Sequence, residues 1–342
     1  MKNKTVRALI SSVFAAALVM TSMSAPAMAA PAKPAVTSIK VGVTAINSMG
    51  AIQYAQDSGI FKKAGINVSE FVTFPAPPAS IAALNSGSVQ FVYAPSIPVL
   101  NSLFNGGLKL KIVAAADGYL KSDVVAAQAD PALAGRLDDT GVCIAKSGKV
   151  KRWKDLAGKT VSVPARKAQG EVTIAASVLK DGGDPTKINF VTLGFGEVLS
   201  SVSKGVIDAG FVVEPFTSLC AASEATLKGP GVNFFDQGGA VGLWVTTEEL
   251  ALKNPKLVAA FEKSIYAAGA AGMAAKTKDA VLRASLKITK QTYEVAKAAN
   301  STFYPKTVVT AEIQSVADKM FELGFLKTRK LVRKYLPSST VG

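Results

Sequence analysis

Residues 39–74 read IKVGVTAINSMGAIQYAQDSGIFKKAGINVSEFVTF, and this stretch carries the fold class. Ile39 to Val43 is a short run dominated by Ile and Val, which suits a pleated strand. Ile52 to Lys63 has the spacing of a helix and stops at Gly65, and Asn67 to Phe74 returns to strand. Strand, helix, strand in this order makes one βαβ unit with parallel strands. The alternation continues. Ser80 to Ser86 is a short helix with Ile81 and Leu84 on its buried side, Val89 to Tyr93 a strand, Ile97 to Phe104 a helix, and Leu110 to Ala116 a fourth strand.

A second block of the same kind follows Lys146 to Lys151. Asp155 to Lys159 turns into the strand Thr160 to Val163; then come the helix Gly170 to Lys180, the strand Asn189 to Leu193, the helix Glu197 to Lys204 and the strand Ile207 to Val213. The tail is helical over Pro255 to Lys276, Lys278 to Lys297 and Ala311 to Leu323, and is expected to pack back on the first block. The class is α/β with mostly parallel sheets. The expected organisation is lobe 1 over 39–145 and 241–342, and lobe 2 over 146–240. Two such lobes form a cleft, and ligands of open α/β sheets bind beyond the carboxyl ends of the strands.

The N-terminus reads as an export signal over residues 1–29. Lys2, Lys4 and Arg7 precede the apolar run Leu9 to Met20, and Ala27-Met28-Ala29 places small residues before a cleavage point near Ala29/Ala30. The run is shorter than the roughly 20 residues that span a bilayer. No Cys lies near the cleavage point, so no lipid anchor is expected. Residues 30–38, with Pro31 and Pro34, are a flexible lead-in. A free protein in the periplasm is expected.

The formal charge is +15, of which the three signal cations are part. Export, and the lack of five consecutive basic residues, argue against nucleic acid as a partner, and none is expected. The dense stretch Lys327, Arg329, Lys330, Arg333 and Lys334 reads as a solvated helix face. The chain has no histidine, which removes His-based triads, imidazole bases and the commonest metal ligand together. Two cysteines, Cys143 and Cys220, are too few and too far apart for a zinc site. They fall on different elements, so free buried thiols are favoured over a disulfide. No metal and no cofactor is expected.

Four stretches carry a family resemblance. They are Ser58 to Val68 (SGIFKKAGINV), Ile81 to Phe91 (IAALNSGSVQF), Trp153 to Val163 (WKDLAGKTVSV), and Val202 to Gly210 (VSKGVIDAG) followed by Glu214-Pro215. In this order and spacing the chain resembles the substrate-binding proteins of aliphatic sulfonate, taurine and nitrate importers, with their relatives that bind thiamine-pyrimidine precursors. Gln90 stands where that family usually has Asp. The resemblance implies a two-lobed type II periplasmic-binding-protein fold with two crossings, closing on its ligand as a hinged trap. It further implies a monomer without catalysis, whose partners are a small-molecule ligand and an ABC permease/ATPase complex in the inner membrane. The family's pyrimidine-synthase branch consumes an active-site His, and this chain has none.

The candidate ligand-binding residues sit on loops beyond strand ends. Asn47 and Ser48 follow the first strand and act as ligand contacts or as turn and cap. Ser80 ends the proline passage from Pro75, as donor or cap. Tyr93 offers a ring and a hydroxyl, and Ser96 a helix start. Arg166, Lys167 and Gln169 stand where relatives often have a Gly/Ser-rich turn. Two cations at a helix start oppose its dipole unless an anion is near, which points to an organic anion such as a sulfonate or carboxylate. Glu214 accepts from a ligand nitrogen or pairs with Arg166 or Lys167. A neutral or cationic heterocycle held by Tyr93 and Glu214 is the second reading of the ligand, and delivery to a sensor the alternative to import. Asp117 is expected at the hinge, and Trp153 and Trp244 in packing.

Overall fold

A computed structural model describes residues 37–338; the expected signal peptide and its cleavage point lie outside them, while Thr37 and Ser38 of the lead-in already belong to the first strand. The chain runs β1 (Thr37–Val43), α1 (Gly50–Asp57), α2 (Ile60–Lys63), β2 (Ile66–Thr73), α3 (Pro77–Asn85), β3 (Phe91–Pro95), α4 (Ser96–Phe104), β4 (Leu110–Tyr119), α5 (Lys121–Ala129) and α6 (Pro131–Leu137). It continues with β5 (Thr140–Ile144), β6 (Thr160–Val163), α7 (Gln169–Lys180), β7 (Asn189–Thr192), α8 (Phe195–Ser203), β8 (Ala209–Val213), α9 (Phe216–Ser223), β9 (Ala225–Lys228) and α10 (Pro230–Phe234). It ends with β10 (Gly239–Thr247), α11 (Glu248–Lys253), α12 (Pro255–Met273), α13 (Lys278–Thr289), α14 (Tyr293–Ala298) and α15 (Thr310–Glu322). No described helix is long and apolar enough to cross a membrane.

Two five-stranded sheets form, in the orders β2-β1-β3-β10-β4 and β7-β6-β8-β5-β9. Each has a parallel part, β2-β1-β3 and β7-β6-β8. Each also has one reversed strand: β10 runs antiparallel between β3 and β4, and β5 antiparallel between β8 and β9. The sheets are therefore more mixed than expected. Each reversed strand is the first one along the chain after it passes from one sheet to the other.

This placement differs from the expected division at 145/146 and 240/241. β5 pairs inside the second sheet, and β10 starts in the first sheet at Gly239. Thr140-Gly141-Val142-Cys143-Ile144 is buried at every position, so it shows no alternation to mark it as a strand. The cysteines also differ from expectation. Cys143 of β5 and Cys220 of α9 form a disulfide with Cα atoms 5.9 Å apart. The reason is local: β5 lies beside β8, and α9 starts three residues after β8 and folds back over that pair.

Three helices differ from the expected spans. The helix over 52–63 is split at Gly59, whose left-handed φ of 75° separates α1 from α2. The helix over 278–297 is split at Lys290, at φ 58°. α3 begins at Pro77, because proline fits the first helical turn, and Ser80 lies inside it.

The tail helices do pack on the first sheet. Phe261 of α12 stacks on Phe91 of β3, with Trp244 of β10 edge-on to the same ring at 5.7 Å. α13 closes on α1 at Gly50, where an added Cβ would lie 2.4 Å from the Val281 carbonyl oxygen. Trp244 is buried packing, as expected.

Candidate functional site

The carboxyl ends of both sheets meet across a slot. From the first sheet come Thr44 and Ile46 after β1, Tyr93 and Pro95 at the end of β3, and Asp117 in β4. The second contributes Asp139 and Thr140 at β5, Gln169 and Gly170 at the start of α7, and the rings of Phe195 and Phe211. The slot is narrow, about 40 Å³. Asp117, Asp139 and Val241 also line an adjoining space of about 160 Å³.

Asp117 lines the slot, Ser48 stands beside it, and Asn47 and Ser96 follow the lining residues Ile46 and Pro95 in the chain; all four carry a polar atom without a partner. Asn47 Oδ1, Ser48 Oγ, Ser96 Oγ and Asp117 Oδ2 are buried and make no hydrogen bond. The residues are 6%, 5%, 0% and 5% exposed. An orphaned buried polar atom costs about 1–3 kcal/mol, so several together mark a place that a ligand completes. Asn47 and Ser48 form a single 3-10 turn, but neither caps a helix with its side chain.

Asp117 and Tyr93 are neighbours across β10. Gly242 of β10 pairs with Asp117 and with Pro95; an added Cβ there would lie 2.4 Å from Asp117 Oδ1 and 2.7 Å from the Tyr93 hydroxyl. Burial pushes the Asp117 carboxyl up, opposed by the Ser48 and Tyr93 hydroxyls and the Gly242 amide. Those hydroxyls stand close enough to favour the charge, yet Ser48 Oγ and Asp117 Oδ2 reach no hydrogen bond of ordinary geometry. Burial, then the charges of Asp117 and Asp139, push the Tyr93 phenol well above its usual value.

Asp138 and Asp139 differ sharply. Asp138 is fully used: it accepts from Tyr119 Oη at 2.7 Å, the Thr140 amide at 2.8 Å, Thr140 Oγ1 at 2.7 Å and the Val232 amide at 2.8 Å. Asp139 lies 2.9 Å from the same Tyr119 hydroxyl, whose single proton it shares with Asp138, and lines the slot. Burial, then the charges of Asp117 and Asp138, raise its carboxyl well above the usual range, and Glu214 adds to this.

The remaining sequence candidates divide. Gln169 lines the slot. Ser80 is buried in α3 and donates to the Pro77 carbonyl at 3.0 Å, so it is not a cap. Ser96 is the first residue of α4. Glu214 does not line the slot: it accepts from the Ser218 amide at 3.1 Å, Ser218 Oγ at 2.9 Å and the Asn300 amide at 3.2 Å. It ties the end of β8 to the segment between α14 and α15, and its peptide bond to Pro215 is cis.

Arg166 and Lys167 are absent from the slot. Arg166 Nε and Nη2 reach the two carboxylate oxygens of Glu171 at 2.8 and 3.2 Å, and its guanidinium lies 5.5 Å from the centre of the Phe190 ring. The Lys167 amide donates to Glu171 Oε2 at 2.7 Å. The anion that offsets Arg166 is thus the chain's own Glu171, in the first turn of α7, while Lys167 meets it only through its backbone amide. Neither cation pairs with Glu214. Asp139, Phe195 and Phe211 are site residues that the sequence reading missed. Asp139 had one signal, its position just before the apolar run of β5.

This architecture is that of a two-lobed periplasmic-binding-protein fold. Residues 138–280 match the family described as NMT1/THI5 like. The alkanesulfonate-binding protein SsuA from Xanthomonas axonopodis pv. citri, bound to MOPS, superposes with a TM-score of 0.70 at 15% identity, over 89% of this chain and 99% of that one. The periplasmic nitrate-binding protein NrtA from Synechocystis PCC 6803 superposes with a TM-score of 0.68 at 13% identity, over 88% and 86%. The desulfurization enzyme DSZB does so with a TM-score of 0.61 at 12% identity, over 88% and 96%. A search by sequence among curated proteins returns no match. The family resemblance and the fold it implied are both found, while binding proteins and an enzyme share that fold, which by itself does not choose between them.

Proposed function

We propose that the protein is a non-catalytic solute-binding protein of an ABC importer, exported to the periplasm as a monomer and capturing a small molecule between its two lobes. The observation that carries this is the slot between the strand ends of both sheets, where the buried Asp117 Oδ2 has no partner and neither does Ser48 Oγ beside it. Solved relatives of the same fold that bind sulfonate and nitrate support it. The organic-anion reading of the ligand loses its main support, because Arg166 is paired with Glu171 and no Lys or Arg, Lys167 included, lines the slot. The geometry favours the second reading, a neutral or cationic ring compound, although through Tyr93 rather than Glu214.

A thermal-shift screen of the exported protein against sulfonates, carboxylates, nitrate, pyrimidines and amines tests the role. A solute of micromolar affinity stabilises the protein by about 2.7 kcal/mol at a hundredfold excess over its dissociation constant. Stabilisation by one chemical class supports capture. Turnover of the bound compound, followed by mass spectrometry, refutes the non-catalytic part.

A further inference from the structure

Two carboxylates reach the slot, and they come from different sheets. Asp117 belongs to β4 of the first, and Asp139 directly precedes β5 of the second. The other buried acids nearby are accounted for: Asp138 has four donors, and Glu214 has three. Asp117 Oδ2 has none, and Ser48 Oγ beside it has none. The remaining walls of the slot are mostly apolar, chiefly Phe195, Phe211 and prolines, with Thr44, Thr140 and Gln169 as neutral polar members. Among the described residues no group of three or more side chains is placed to share a metal ion.

Resting on the solute-binding reading above, we infer that the solute presents a cationic nitrogen, a protonated amine or amidine on an apolar body, seated between Asp117 and Asp139 beside the Tyr93 ring. Two like charges brought together in a poorly hydrated slot repel and are costly. A cation between them removes that repulsion, and each lobe gains a charge-assisted bond only when the slot is shut. The cation therefore fastens the lobes. The ring of Tyr93 adds a face that attracts the same charge. The slot is acidic within a chain of net charge +15, so its preference is set by local groups and not by the overall field.

Proton release follows from the same arrangement. The groups facing Asp117 are Ser48, Tyr93, the Gly242 amide and Asp139; those facing Asp139 are Tyr119, Asp138, Glu214 and Asp117, with Arg136 and Asp123 on the adjoining space. Burial raises both carboxyl groups, so that they hold protons into a higher pH range. A bound cation favours their charged forms, so binding expels protons and weakens as pH falls.

The test titrates the full protein with benzylammonium, benzyl alcohol and benzenesulfonate, and with the matching butyl series, by calorimetry in buffers of different ionisation enthalpy. The inference expects the ammonium members to bind at least tenfold more tightly than the alcohols, with proton release. Asp117→Asn and Asp139→Asn should each lose ten- to a hundredfold in ammonium affinity. Both variants should melt, without solute, at or above the wild-type temperature, because a repelled buried charge is gone; Glu249→Gln on the surface should change neither property. Preferential binding of the sulfonates overturns the inference and leaves solute capture standing. If no charge class binds to the well-folded protein, both readings fall.

Discussion

Arg166 and Glu171 form a two-pronged ion pair within the second lobe, and Arg166 remains 53% exposed in its side chain. A pair so open to water contributes about 0.2–1 kcal/mol. Arg166→Ala should therefore lower stability by that amount and leave solute affinity within about twofold, since the guanidinium does not face the slot. Denaturation and calorimetric titration read the two effects separately. A ten- to hundredfold loss of affinity would restore the organic anion as ligand. Sequence spacing placed Arg166 correctly at a strand's carboxyl end, but the direction of its side chain was set by Glu171, five residues on, and by the Phe190 carbonyl in β7. Asp117 shows the opposite case. It read as a hinge residue, and only the pairing of β4 with β10 put it against Tyr93.

At the scale of elements, β5 and α9 are joined by the Cys143–Cys220 disulfide across a sequence separation of 77. Cross-linking a loop of that length removes freedom from the unfolded chain and stabilises by about 2–5 kcal/mol. The double variant Cys143→Ser, Cys220→Ser should lose that much in urea denaturation, and reductant should lower the wild type to match it. Equal stability with and without reductant would show that the bond does not form in the mature protein. Strand and helix order was legible along most of the chain because period and glycine stops coincide, as at Gly65, Gly87 and Gly205. α5, α6 and β5 were not, because their apolar residues follow no clean period, and the run from α9 to α11 was not assigned to elements either. Misplacing β5 hid the neighbour of α9, and with it the disulfide.

At the scale of the molecule, the chain passes between the sheets after β4 and again before β10, and Asn300 fastens the region between them. Its amide group donates to the carbonyls of Gly135 and Asp138 at 3.0 and 2.7 Å, while its backbone donates to Glu214. With so few covalent crossings, the two sheets can change their spacing, and a solute touching both favours the closed arrangement. Small-angle scattering should show a smaller radius of gyration when the best solute of the screen is bound. An unchanged profile at saturation would mean a rigid pocket. Benzylammonium should close the wild type and fail to close Asp139→Asn.

The sequence by itself determined the α/β class, the two blocks, the loops that meet the cleft, and the family likeness, because each rests on local period, turn residues and order along the chain. It excluded histidine chemistry outright. The tertiary structure decided what the site contains. Asp117 and Asp139 are separated by 22 positions and belong to different sheets, and Glu171 takes up Arg166, the stronger of the two pointers to an anion. Pairing of β5 and β10 with strands distant in sequence sets these juxtapositions, and the charge of a buried slot depends on which side chains are left without partners once all the others are satisfied.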